Sequence, residues 1–125
     1  MADKKKVLLV DDDAEILALL RLLLQNAGHD VVVTTHPSMV LRLVREESPD
    51  LIVCDINMDE RTGGEVVADL AGDPQGKAIP FLFLSSLVKE EEIDADGRVG
   101  GLAMISKSAP REKILERIGT MLSGG

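Results

Sequence analysis

Short stretches of this chain are apolar at every consecutive position: Val7 to Val10, Val31 to Val33, Leu51 to Cys54 and Phe81 to Leu84. Runs this short and unbroken, several rich in β-branched residues, predict strands buried on both faces, because a sheet with one wet face alternates apolar and polar side chains. A weaker run, Leu102 to Ile105, predicts a fifth strand. Between the runs, apolar residues recur at helical spacing. Ile16, Leu19, Leu20 and Leu23 mark a helix that ends near Gly28, and Val40, Leu43 and Val44 mark a second, with Pro37 suited to its first turn. Val66, Val67 and Leu70 mark a third, ending near Gly72, and Ile114, Leu115, Ile118, Met121 and Leu122 share one face of a last helix. The charged stretch Lys89 to Gly97 predicts a short, exposed fourth helix.

Strands and helices in strict alternation predict an α/β fold: a doubly wound, open parallel sheet of five strands, with helices on both faces and right-handed crossovers. No repeat, low-complexity stretch or linker divides the 125 residues, so the expectation is a single domain over residues 1–125, with an ordered core over about 5–122. A hydrophobic content of 45% is enough for one core.

Composition narrows the function classes. There is no apolar run of about 18 residues that could span a membrane, and the lysine-bearing start is followed by only Val7 to Val10 before the first aspartates. The reading is a soluble, unprocessed, cytoplasmic protein. A formal net charge of −8 argues against nucleic acid and anionic lipid as partners, and Lys4 to Lys6 read as a solvated lead-in to the first strand. The single cysteine, Cys54, can form no internal disulfide and reads as a small core hydrophobe. His29 and His36 have no Cys or His at ligand spacing, which argues against zinc.

In open parallel sheets, chemistry collects at the carboxyl ends of the strands, where strand order reverses. Here the first strand runs into Asp11, Asp12 and Asp13, the third into Asp55, the fourth into Ser85 and Ser86, and the fifth into Ser106 and Lys107. Two carboxylates about 4 Å apart repel by roughly 4 kcal/mol at an effective dielectric of about 20, so Asp11, Asp12 and Asp55 together call for a cation. Hard oxygen ligands with room for water suit Mg²⁺ better than zinc, and Mg²⁺ bridges readily to a phosphoryl oxygen. Lys107 and the Ser85 hydroxyl supply a positive charge and a donor to the same anion. Plainer readings stand beside these: Asp13 as the N-cap of the first helix, Ser85 as a strand-end residue and Lys107 as a surface lysine. The Asp94, Asp96, Gly97 sequence resembles a calcium loop only faintly and reads better as a helix terminus.

Taken in order, VLLVDDD from Val7 to Asp13, LIVCDINM from Leu51 to Met58, IPFLFLSS from Ile79 to Ser86 and AMISK from Ala103 to Lys107 resemble the receiver domains of bacterial two-component response regulators. The resemblance covers nearly the whole chain. It implies a CheY-like, flavodoxin-like fold with strand order 2-1-3-4-5 and five helices. It further implies that Asp55 takes a phosphoryl group from a sensor histidine kinase or a histidine phosphotransfer protein, with Mg²⁺ as cofactor. Asp12 would ligate the metal directly, Asp11 largely through water, and the Asn57 carbonyl and Asp55 would complete the protein ligands. Lys107 and Ser85 would neutralise the phosphoryl oxygens. A downstream protein would read the surface of the fourth helix, fifth strand and fifth helix.

The chain departs from the family pattern at three places. Met104 stands at the usual aromatic position of the fifth strand, Ser108 follows the lysine where proline is usual, and Asp59 replaces a proline in the loop after the acceptor. A cis bond at Ser108 would be costly, so a trans bond and a reshaped loop are expected. Asp59 and Glu60 read as solvated loop residues, or as acids that attract cation and repel donor. Leu87, two residues beyond Ser85, is placed to shield an acyl phosphate from water. Two other functions stay open from the sequence: a receiver fold that signals without phosphorylation, and a haloacid-dehalogenase-type phosphatase using Asp11 and Asp13. The second lacks a further acidic metal cluster after the lysine. Ser123, Gly124 and Gly125 are compatible with a stand-alone receiver or with one cut from a longer chain.

Overall fold

The computed structural model describes residues 5–93, 95, 97–99 and 102–123. The apolar runs form β1 (Lys6–Val10), β2 (Asp30–Thr34), β3 (Leu51–Asp55) and β4 (Phe81–Ser85). A short β5 (Arg98–Val99) precedes β6 (Leu102–Ser106), and the helices are α1 (Ala14–Asn26), α2 (Val40–Glu47), α3 (Gly63–Ala71) and α4 (Arg111–Leu122). The sheet order is β2-β1-β3-β4-β6-β5, so the long strands are parallel in the expected 2-1-3-4-5 sequence and reverse direction of growth beside β1 and β3.

Alternating positions along the strands feed two cores. On one face Val7, Leu9, Leu51 and Val53 meet Leu17, Leu20 and Leu24 of α1 and Ile114, Ile118 and Leu122 of α4. On the other, Leu8, Val10, Ile52 and Cys54 meet Val40 and Val44 of α2 and Val66 and Leu70 of α3. This explains the unbroken runs: both strand faces are covered by helices, and each fully buried Leu or Ile contributes about 1.5–3 kcal/mol of transfer free energy.

Helix limits follow local chemistry. Asp13 caps α1 by accepting from the Glu15 N–H, and Gly28, at φ 94°, takes the left-handed turn beyond the helix end. Pro37 opens a 3₁₀ turn (Pro37–Met39) that leads into α2, and Gly72 is the C-cap of α3.

The stretch Lys89 to Gly97 corrects the sequence reading. Its described residues form a 3₁₀ turn at Glu90–Glu92 and no fourth α-helix, and the chain then adds β5 antiparallel to β6, pairing Arg98 with Ala103. The stretch offers few apolar positions to bury, and Gly97 at φ 75° imposes a turn that a helix interior does not accept. The described residues thus form six strands and four α-helices where five and five were expected. Asp94 and Asp96, and with them the faint calcium-loop pattern, lie outside the described residues.

Candidate functional site

Parallel register brings the strand ends to one edge. Val10 pairs with Cys54, Asp55 with Leu84, and Ser85 with Ser106, so Asp11, Asp55, Ser85 and Lys107 emerge side by side. Asp11 and Asp55 are only 1% and 5% exposed, while Asp12 points into solvent at the rim. One carboxylate oxygen from each of Asp11, Asp12 and Asp55 lies within 4.8 Å of the other two.

Lys107 reaches into this group. Its Nζ stands 2.7 Å from Asp11 Oδ2 and 3.4 Å from Asp55 Oδ2. The Lys107 pKa is raised: burial works against the ammonium, and the two carboxylates more than offset it. The Asp55 carboxyl is also pushed up, first by burial and then by the charge of Asp11, against the opposing pull of Lys107 and of the Asn57 backbone. One ammonium therefore does not neutralise the pair. The Cys54 thiol is buried in the core against α2 and α3 and is pushed up to about 12, chiefly by burial and then by Asp55 and Asp11, which makes it an inert core residue.

The acidic group fits a hard divalent cation. Asp11 Oδ2 is buried and, among the described residues, has an ion-pair neighbour but no properly angled hydrogen bond, while Asp11 Oδ1 is occupied by the Asp13 N–H at 3.0 Å. An all-oxygen set in which one ammonium faces two buried carboxylates matches the needs of such an ion.

The remaining predicted residues fall around this centre. Ser85 is 2% exposed; its Oγ accepts from the Leu87 N–H at 3.1 Å, which keeps the hydroxyl proton available to donate. Asn57 is exposed in the β3–α3 connection, with its backbone bridged to Thr62. Asp13 turns away to cap α1 and stands outside the acidic group, which leaves the Asp11/Asp13 nucleophile pair of a dehalogenase-type phosphatase without support. Leu87 is 73% exposed next to Ser85. Met104 is buried beside Phe83 on β4, and its N–H donates to the Gly97 carbonyl.

Several features escaped sequence reasoning. Glu60 accepts from Ser38 Oγ and pairs with His36 Nδ1 at 2.9 Å, tying the β3–α3 loop to the β2–α2 loop, and this contact holds its carboxyl below the usual range. The Asp59 N–H donates to Asp12 Oδ2 at 3.1 Å. Thr62 and Glu65 form a capping box at the start of α3, a signal visible in the sequence as Thr-x-x-Glu. Gly63 is required by close approach: a Cβ there would lie 2.7 Å from the Asp55 carbonyl oxygen and 2.9 Å from Phe83 Cε1.

An acidic trio, a lysine and a hydroxyl at the carboxyl edge of a 2-1-3-4-5 sheet define a phosphoryl-accepting class of α/β protein. The chain belongs to the response regulator receiver domain family, whose model matches residues 7–119. It is 30% identical over 118 residues to the polar-differentiation response regulator DivK of Brucella anthropi, covering 94% of this chain and 96% of that one. It is 27% identical to PilH of Pseudomonas aeruginosa, over 95% and 98% of the two chains. Among solved structures, the chemotaxis response regulator CheY4 of Vibrio cholerae matches with a TM-score of 0.79 at 28% identity, over 94% of this chain and 98% of that one. The protein is accordingly a two-component signalling receiver, a class that takes its phosphoryl group from histidine kinases and signals to downstream partners. No helix among the described residues is long and apolar enough to cross a membrane.

Proposed function

We propose that Asp55 is the phosphoryl acceptor and that the reaction requires Mg²⁺. The observation that carries this reading is the convergence of Lys107 on Asp11 and Asp55, at 2.7 and 3.4 Å, beside a buried serine hydroxyl. An Asp55 carboxylate oxygen attacks phosphorus of a phosphohistidine on a kinase or phosphotransfer protein. The O–P bond forms as the P–N bond breaks, and the imidazole nitrogen keeps the bonding pair. Asp11, Asp12, Asp55 and the Asn57 carbonyl are the residues that would hold Mg²⁺, which when bound supplies neutralising charge for the phosphoryl oxygens. Lys107 offers an ammonium to one such oxygen and Ser85 a hydroxyl proton to another.

The product carries more negative charge and more acceptor oxygens than the carboxylate it replaces, so nearby donors are drawn toward it. Ser85 is joined to the outer strands by pairing with Ser106, and Met104 lies two residues earlier on the same β6. The response is read by a protein partner on the surface of β6, α4 and the chain segment before β6. Neither nucleic acid nor membrane enters this reading, in keeping with a net charge of −8, and the site of action is the cytoplasm. Incubation with phosphoramidate tests the proposal: the native chain acquires label only with Mg²⁺, and Asp55→Asn acquires none. Equal labelling of the variant, or label indifferent to Mg²⁺, contradicts it.

A further inference from the structure

The residues on either side of Lys107 are both serines, and their hydroxyls meet. Ser106 Oγ and Ser108 Oγ are 2.8 Å apart, and the Ser108 N–H donates to Ser106 Oγ at 3.2 Å. Ser106 is 1% exposed, whereas Ser108 is at the surface, so the contact spans the boundary between the sheet and the loop after it. The backbone is committed at three consecutive positions: the Lys107 N–H donates to the Ser85 carbonyl at 2.8 Å, the Ser108 N–H to the Ser106 hydroxyl, and the Ala109 N–H to the Ser106 carbonyl at 3.1 Å. The described residues contain no cis peptide bond, so this turn is made with trans geometry throughout. Capping of the next helix does not explain the serines. The N-cap of α4 is Pro110, which has no side-chain cap bond.

A lysine has a flexible four-carbon stem, and its ammonium holds a fixed place only if the backbone beneath it is fixed. Here the stem starts from a Cα clamped between two hydroxyl-bearing neighbours and ends 2.7 Å from Asp11. We infer that the Ser106–Ser108 hydroxyl pair sets the position of Lys107 over Asp11 and Asp55, so that both serines are positioning residues for phosphoryl transfer. The inference rests on the function proposed above. It assigns to two serines the task of shaping the loop after the lysine.

Ser108 is exposed, and its truncation leaves the core intact, so the full chain serves for the test. Labelling by phosphoramidate is followed against donor concentration at saturating Mg²⁺ in the native chain, Ser108→Ala, Ser108→Thr and Ser106→Ala, with the thermal midpoint recorded for each. Displacing a reacting charge by a fraction of an ångström costs rate rather than binding, so Ser108→Ala lowers the maximal rate about tenfold at an unchanged half-saturating donor concentration. Ser108→Thr, which keeps the hydroxyl, restores it. In a Lys107→Ala background the same Ser108→Ala change has no further effect, because the serine acts through the lysine. An unaltered rate in Ser108→Ala, a threonine variant as slow as alanine, or an equal loss with and without Lys107 overturns the inference while leaving Asp55 as acceptor. A native chain that takes no label from the donor overturns the acceptor reading and this inference with it.

Discussion

Asp55 is held in a state that the isolated fold resists. Burial and the neighbouring charge of Asp11 raise its pKa, with Lys107 only partly compensating. The folded chain therefore holds that proton more tightly than the unfolded chain, whose aspartates titrate near about 3.9. The associated stability is fully present below that pH and is lost as pH rises through the folded-state value. Asp55→Asn removes the penalty. Urea denaturation without divalent cation is expected to show the variant more stable than the native chain at neutral pH, with the difference closing toward about pH 4. A variant less stable than native at neutral pH would mean that the pairing with Lys107 outweighs burial and repulsion. The acids, Ser85 and Lys107 were legible in the sequence because each directly follows an apolar strand, and strand ends of a parallel sheet share an edge. Glu60 with His36, and Ser106 with Ser108, were not legible, because those contacts depend on how loops return over the edge.

Asp55, the proposed acceptor, ends β3, and the β3–α3 connection follows it directly. That connection is closed by the Gly63 N–H donating to the Ile56 carbonyl at 2.7 Å and by the Thr62 and Glu65 capping box, and it presses α3 against the end of β3. Gly63→Ala would drive a methyl group into the Asp55 carbonyl oxygen and the Phe83 ring. Forced overpacking of this kind costs about 1–3 kcal/mol, and the shift of α3 also displaces Asp55. The expected result is a lower thermal midpoint together with slower labelling; a variant native in both would show that the contact relaxes freely. The four α-helices were legible from apolar spacing, the first three also from Gly28, Pro37 and Gly72 at their ends. The segment Lys89 to Gly97 was misread because charge and length suggested a helix, while it offers few apolar positions to bury and ends in a left-handed glycine.

Over the whole molecule, two cores flank one sheet, and the acidic group at the sheet's edge adds to a net charge of −8. Repulsion among the buried acids is tolerated because the cores supply the stability that the edge lacks. A ligand that binds only the folded state stabilises it by mass action, about 2.7 kcal/mol at a hundred times its dissociation constant. Mg²⁺ at neutral pH is therefore expected to raise the thermal midpoint of the native chain and to do so much less for Asp12→Ala. An identical rise in both would place the ion elsewhere. The parallel direction of the long strands was legible from the alternation of elements, and their order was implied by the family resemblance. The added β5 edge was not, since a two-residue strand has no hydrophobic period to read.

The site offers two buried carboxylates within reach of one lysine, and only Asp55 sits at the end of β3. Peptide mapping of the chain after Mg²⁺-dependent labelling by phosphoramidate decides between them. Label confined to the peptide that contains Asp55, and absent when Asp55 is asparagine, is the predicted result. Label on the peptide that contains Asp11 would contradict it.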